Sequence, residues 1–404
     1  MKCCRFALIV FLLLPLKSYS LYQGKNWNLS DSSTISLITG APGEDLYTKF
    51  GHSAIRVYDP VNRIDLVFNY GTFDFDTPGF YMKFIRGKLL YFMDAYEFKR
   101  MLYLYTQLNQ SLFEQTLNLS PRQKQEIFDF LIKNYQPENR YYHYDSFFDN
   151  CSTRVRDVFK NTLGDRLVFH YDYITEKKSF LRLTNECLQA APWGKFGIDL
   201  ILGLPMDRVA TPWERMFLPY EMMHGFGHAE LKNDSSSVPF ARPVQALYSE
   251  IPVTVTSPFL TPLNVFWGLF ILILLLTAWQ LKSGNTSTIL DLAIFSLSGL
   301  LGLAILFMWF ATDHHETKIN MNILWALPFN LLLPYWMVSH RNSPLLKGYL
   351  WFFAGLNMII LMGWKFMPQP YHPAVIPVVL IYTLRCLFIL VSEFYSHLLI
   401  KTKT

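Results

Sequence analysis

Five apolar stretches crowd the last third of this chain, roughly Leu263–Leu281, Ile289–Phe310, Asn322–Val338, Leu345–Trp364 and Ala374–Tyr395. Each approaches the ~20 residues that a helix needs to cross the hydrocarbon of a bilayer. Such a series predicts a membrane-embedded back half, and the charges agree. From Pro262 to Thr404 there are 8 basic and 4 acidic residues, against 36 and 31 in the whole chain of 404. The front carries most of the charge and reads as a water-exposed domain. Apart from Lys2, Arg5 and Lys17 at its start, that front is slightly acidic, which argues against nucleic acid as a partner.

The first residues place the front outside. Lys2 and Arg5 precede the apolar run Phe6–Leu14, and small residues follow at Ser18 and Ser20, the pattern of a secretory signal peptide. The expected division is therefore a signal peptide over 1–20, a front domain over 21–255 and a transmembrane domain over 256–404. Loop charges give the same orientation. Lys282, Arg341, Lys347, Lys401 and Lys403 fall in loops or tail that would lie inside, whereas Asp313, Glu316, Lys318 and Lys365 would lie outside. Pro328 and Pro334 predict a kinked third span. Arg385 and Glu393 sit in or near the last one, where snorkelling at the helix end is the plainer account of a charge.

In the front domain, Thr34–Thr39, Ser53–Tyr58 and Leu66–Tyr70 read as strands. The last two form a hairpin through Asp59-Pro60-Val61-Asn62-Arg63. A turn centred on Val61 sets His52 opposite Tyr70 and diagonally close to Asn69. Pro121–Tyr135 reads as a helix entered through Ser120, its core face formed by Ile127, Phe130, Leu131 and Ile132.

A second helix starts after Asp149-Asn150, with Val155, Val158, Phe159, Thr162 and Leu163 at helical spacing and Gly164 at its end. Cys151 falls in its first turn. A thiol there feels the positive end of the helix dipole, which favours the thiolate, and free backbone N–H groups are at hand for an oxyanion. A histidine on a neighbouring strand, His52, would complete a nucleophile–base pair. A lone cysteine is also a common small core residue. A disulfide between Cys151 and Cys187 would be possible on the oxidising side.

The segments Thr39-Gly40-Ala41-Pro42-Gly43, Leu46 to Val57 with Phe50-Gly51-His52-Ser53, Phe68-Asn69-Tyr70-Gly71 and Phe148-Asp149-Asn150-Cys151-Ser152-Thr153-Arg154 closely resemble the Lnb N-terminal periplasmic domain family. So do Pro192-Trp193-Gly194, Leu202-Gly203-Leu204-Pro205 and Trp213-Glu214-Arg215. The run Asp313 to Asn322, followed by Leu324-Trp325 through Pro328, looks like that family's membrane half. The resemblance implies an α+β, circularly permuted papain-like (NlpC/P60-like) periplasmic domain, followed by an all-α membrane domain of about five transmembrane helices. It implies a bacterial multi-pass inner-membrane protein with its C-terminus cytoplasmic.

The activity implied is lipoprotein N-acylation. Carried over by position, Cys151 is the nucleophile and His52 the base; the hairpin pairing, which sets Asn69 close to His52, gives Asn69 as the orienting third residue. Tyr70, Asn150 and Arg154 are expected to contact substrate, as are His314, Thr317, Asn320 and Asn322 of the outer loop, although that loop reads equally well as a plain connector. The expected partners are diacylated lipoproteins and a phospholipid acyl donor. No cofactor is implied, and no metal: only the His314-His315 pair has even partial ligand spacing. A cell-wall cysteine peptidase or amidase, and a non-catalytic membrane scaffold, are the alternatives that the same residues leave open.

Overall fold

The computed structural model describes residues 27–232, 236–252, 259–284 and 287–401, with side chains as far as 392. The expected signal peptide and the side chain of Glu393 lie outside these. The chain divides into two compact units. One takes Met1–Cys187 and Val209–Thr254, and the other takes Leu188–Arg208 and Val255–Thr404.

The first unit is built on a seven-stranded antiparallel sheet. Its strands are β1 (Thr34–Gly40), β2 (His52–Asp59), β3 (Ile64–Thr72), β4 (Leu90–Glu97), β5 (Leu112–Thr116), β6 (Tyr141–His143) and, later in the chain, β10 (Gln245–Tyr248). Their order is β10-β5-β1-β2-β3-β4-β6. A smaller sheet joins β7 (Leu167–Phe169), β8 (Ala229–Lys232) and β9 (Ser237–Pro239).

Alternation along the strands gives the large sheet two buried faces. Ile35, Leu37, Ile55, Val57, Phe68 and Tyr70 belong to the core that also holds residues of the helices Pro121–Tyr135 and Cys151–Leu163. Ile38, Ala54 and Val67 pack instead with Phe98, Met101 and Tyr105 of the helix Phe98–Gln107.

Both long helices of the first core begin as the sequence predicts. Ser120 forms a reciprocal capping box with Gln123, and Asn150 does so with Thr153. The buried stripe of Pro121–Tyr135 is rotated from the expected one. Ile127, Phe128, Leu131 and Tyr135 face the core, while Phe130 is exposed. Phe128 edges onto Phe68 of the sheet, and this contact fixes the rotation.

The hairpin differs from expectation by one residue. Asp59 pairs with Ile64, so the loop has four residues and its centre falls between Val61 and Asn62. The Asp59 carboxylate accepts the backbone N–H groups of both, and Arg63 closes the loop at φ +54°. Asn69 therefore stands opposite Ala54, and Tyr70 turns to the other face.

Among the described residues of the second unit, four helices are long and apolar enough to cross a membrane: Pro262–Ser283, Ile289–Phe310, Pro344–Met362 and Val375–Ser392. The expected third span is not one helix. It is a pair, His315–Leu324 and Pro328–Ser339, bent by 59°. Pro328 lacks an N–H and disfavours helix at Leu327, so the break falls there. Five spans result if the bent pair crosses as one.

The last helix carries Arg385 fully buried. Its guanidinium donates to both oxygens of buried Asp291 at 2.6 and 2.9 Å, and to Thr277 and Gln280 at 2.7 and 2.8 Å. Among the described residues, these contacts all lie inside the helix bundle, so the snorkelling account does not hold.

Candidate active site

Cys151 is the first residue of its helix, and Asn150 before it is the cap. The Asn150 side-chain oxygen accepts the backbone N–H groups of Ser152 and Thr153, each at 2.9 Å. Its amide nitrogen donates to the carbonyls of Ser146 and Phe217. Asn150 is thus buried and fully bonded. It fixes where the helix starts rather than presenting a group to a ligand.

His52 opens β2, at the end of the sheet, and its imidazole lies within hydrogen-bonding reach of the Cys151 thiol. Its Nε2 is bonded to Oδ1 of Asn69. The Asn69 amide nitrogen donates to Thr72 Oγ1 at 3.1 Å, which turns the oxygen toward the ring. Nε2 is therefore the protonated nitrogen, leaving Nδ1 to take a proton from sulfur. Ser53, the next residue, bonds its hydroxyl to that of Ser152 at 2.9 Å and ties the strand to the helix.

The electrostatics of the pair are reciprocal. Burial pushes the Cys151 thiol up, but the His52 charge, its hydrogen bond and those from Ser53 and Ser152 together hold the thiol below its usual value. Burial pushes His52 down, and the Cys151 charge with the bonds to Cys151 and Asn69 raises it overall. Both shifts favour a thiolate beside an imidazolium. Cys151 and Cys187 are both free thiols, so no disulfide ties up the sulfur.

Tyr144 completes the site and was not singled out from the sequence. Its hydroxyl lies close to the Cys151 backbone N–H. Burial holds the phenol well above its usual pKa, so the hydroxyl keeps its proton. Its ring stacks on Tyr91 at 4.6 Å and passes over Gly71. Gly71 adopts φ +91°, and a Cβ there would stand 3.3 Å from the Tyr144 ring and 3.9 Å from Cβ of Cys151. Any side chain would crowd the approach to the sulfur. The sequence signal for Tyr144 was its place in the aromatic run Tyr141-Tyr142-His143-Tyr144, seven residues before the thiol.

The remaining expected contacts are placed elsewhere. The Tyr70 hydroxyl donates to Asn134 within the core, because the one-residue change of register turned it away. Arg154 grips Asp149 through two nitrogens and lies 3.8 Å above the Tyr142 ring.

The outer-loop residues belong to the second unit, and each is already bonded there. His314 pairs with Glu316 at 3.0 Å, and the Thr317 hydroxyl donates to the Met308 carbonyl. Asn320 and Asn322 donate their amides to the carbonyls of Asp199, Leu200 and Ile201, closing the end of the helix Pro192–Ile201. These contacts hold that loop together as a connector.

The sequence was compared with known families and proteins. A family described as the Lnb N-terminal periplasmic domain matches residues 24–175, and one described as the Lnb transmembrane domain matches residues 254–396. Neither the curated proteins nor the solved structures return a match. The two family matches cover the cysteine, histidine and asparagine just described together with the apolar helices, and the chain belongs to the Lnb family, membrane proteins with a periplasmic N-terminal domain.

Proposed function

We propose that this protein is a lipoprotein N-acyltransferase working through a thioester on Cys151. The observation that carries the reading is a helix-terminal thiol beside a half-buried imidazole that Asn69 orients. His52 preceding Cys151 in the chain fits a circularly permuted papain-like domain, and the apolar helices suit a reaction whose two substrates are both lipids.

His52 takes the thiol proton, and the thiolate attacks an ester carbonyl of a phospholipid. Asn150 already occupies two of the first N–H groups of the helix. The tetrahedral oxyanion is therefore held by the N–H of Cys151 and the hydroxyl of Tyr144. Collapse breaks the ester C–O bond, and the leaving lysophospholipid oxygen takes the proton from His52. The α-amine of a diacylglyceryl-cysteine then attacks the thioester. His52 removes its proton, the C–S bond breaks, and an amide forms as the thiolate is restored. The site opens to the periplasm, with the protein in the inner membrane and its C-terminus cytoplasmic.

The test is complementation. Cys151→Ser and His52→Ala variants are expressed in a strain depleted of its own lipoprotein N-acyltransferase, and mass spectrometry reads the lipoprotein N-termini. The parent chain is expected to add one acyl group per N-terminus and both variants none. Variants acylating as well as the parent would overturn the assignment.

A further inference from the structure

The segment between β3 and β4 exposes more apolar surface than an isolated turn needs. Its short helix Phe80–Ile85 leaves Tyr81 76%, Met82 58%, Phe84 52% and Ile85 44% exposed, and Phe75 just before it is 48% exposed. Lys83, Arg86 and Lys88 are interspersed with them and no acidic residue occurs from Phe80 to Leu90, while the exposed Asp74 and Asp76 lie in the turn before the helix. Large apolar side chains mixed with cations on long stems are the composition of a surface that sits at a bilayer boundary, rings among the acyl chains and charges at the headgroups.

This surface is joined to the thiol by a file of half-buried rings. The Phe75 ring lies 4.8 Å from Phe80 and 5.0 Å from Phe73. Phe73 meets Tyr91 at 5.3 Å, and Tyr91 stacks on Tyr144, whose hydroxyl faces the Cys151 N–H. A surface that only docked a protein would not need an apolar track ending at the nucleophile. We propose that residues 73–90 meet the outer leaflet and guide an acyl chain of a phospholipid along Phe73 and Tyr91 to Cys151. The inference rests on the acyl-transfer reading for its purpose, but the lipid contact can be measured without it.

The full-length protein, carrying Cys151→Ala so that no acyl transfer can occur, is given a photoreactive benzoylphenylalanine in place of Tyr81 or Phe84. It is reconstituted in vesicles of phosphatidylethanolamine and phosphatidylglycerol. Tyr103, 64% exposed on the helix Phe98–Gln107, serves as the comparison position. Irradiation is expected to give phospholipid adducts at 81 and 84 and at least tenfold fewer at 103. Equal adducts at all three positions, or adducts to a second protein chain in place of lipid, would overturn the proposal. With Cys151 restored, a Tyr81→Ser/Phe84→Ser double variant is expected to raise KM for phospholipid in mixed micelles about tenfold. Alkylation of Cys151 by iodoacetamide should keep its parent rate, which shows the site intact. An unchanged KM would also overturn the proposal. A chain inactive as an acyltransferase that still gives the lipid adducts would retain the surface and lose only the reaction.

Discussion

The hydroxyl of Tyr144 lies beside the backbone N–H of Cys151, and on the acyl-transfer reading these two groups are the oxyanion donors. Tyr144→Phe removes one of them and leaves the ring, its stack on Tyr91 and the space above Gly71. Loss of one oxyanion donor elsewhere costs on the order of 100-fold in turnover. A comparable fall in lipoprotein acylation is expected, with the alkylation rate of Cys151 retained. A Tyr144→Phe variant as active as the parent would remove the hydroxyl from the mechanism.

The opposite shifts of Cys151 and His52 set a pH dependence. The thiol sits below its usual value, so the thiolate is present above that lowered pKa and is lost only as pH falls through it. The imidazolium is lost as pH rises through the raised His52 pKa. Alkylation of Cys151 should therefore stay fast at neutral pH, and His52→Ala should move its midpoint upward. Cys187, pushed up by burial to about 11, is the slow thiol in the same sample. Equal rates at neutral pH would show that Cys151 is not activated.

The Asn150 side chain makes four hydrogen bonds that hold the cysteine helix at its start. Replacing such a cap by alanine typically costs about 0.5–2 kcal/mol. Asn150→Ala also strands two buried carbonyls, so the upper end is expected, read as a lower thermal midpoint in detergent. Asn150→Asp restores the capping oxygen but not the two donors, and should recover part of the loss.

Arg385 and Asp291 form a fully buried pair between the last helix and Ile289–Phe310. Removing one partner of a buried pair costs about 3–5 kcal/mol, while replacing both by apolar residues is often tolerated. Arg385→Met alone should sharply lower thermal stability and yield. The double variant Arg385→Met/Asp291→Leu should recover most of both.

Much of the site is legible in the sequence because its parts are local. Asn150 is a good cap, Val155 to Leu163 repeat at helical spacing, and Cys151 must then open the helix. His52 and Asn69 come from one hairpin, so short-range pairing nearly suffices to bring them together. The turn was the weak point: one residue fewer in the loop exchanged the faces of Asn69 and Tyr70. Tyr144 could not be found this way, because its role comes from β6 lying at the far edge of the sheet, a long-range fact. Arg385 likewise shows its charge but not its partner, 94 positions away. The bent third apolar stretch follows from Pro328, though hydropathy alone reads it as continuous.

The helix Pro192–Ile201 lies in sequence between parts of the first unit, yet Phe196 and Leu200 pack into the apolar core of the second. Cutting the gene just ahead of Pro262 would therefore not release a clean water-soluble domain. It would leave a greasy helix without its cover, a liability for aggregation. A fragment in which Cys187 is rejoined to Val209 through a short polar linker is the version to express.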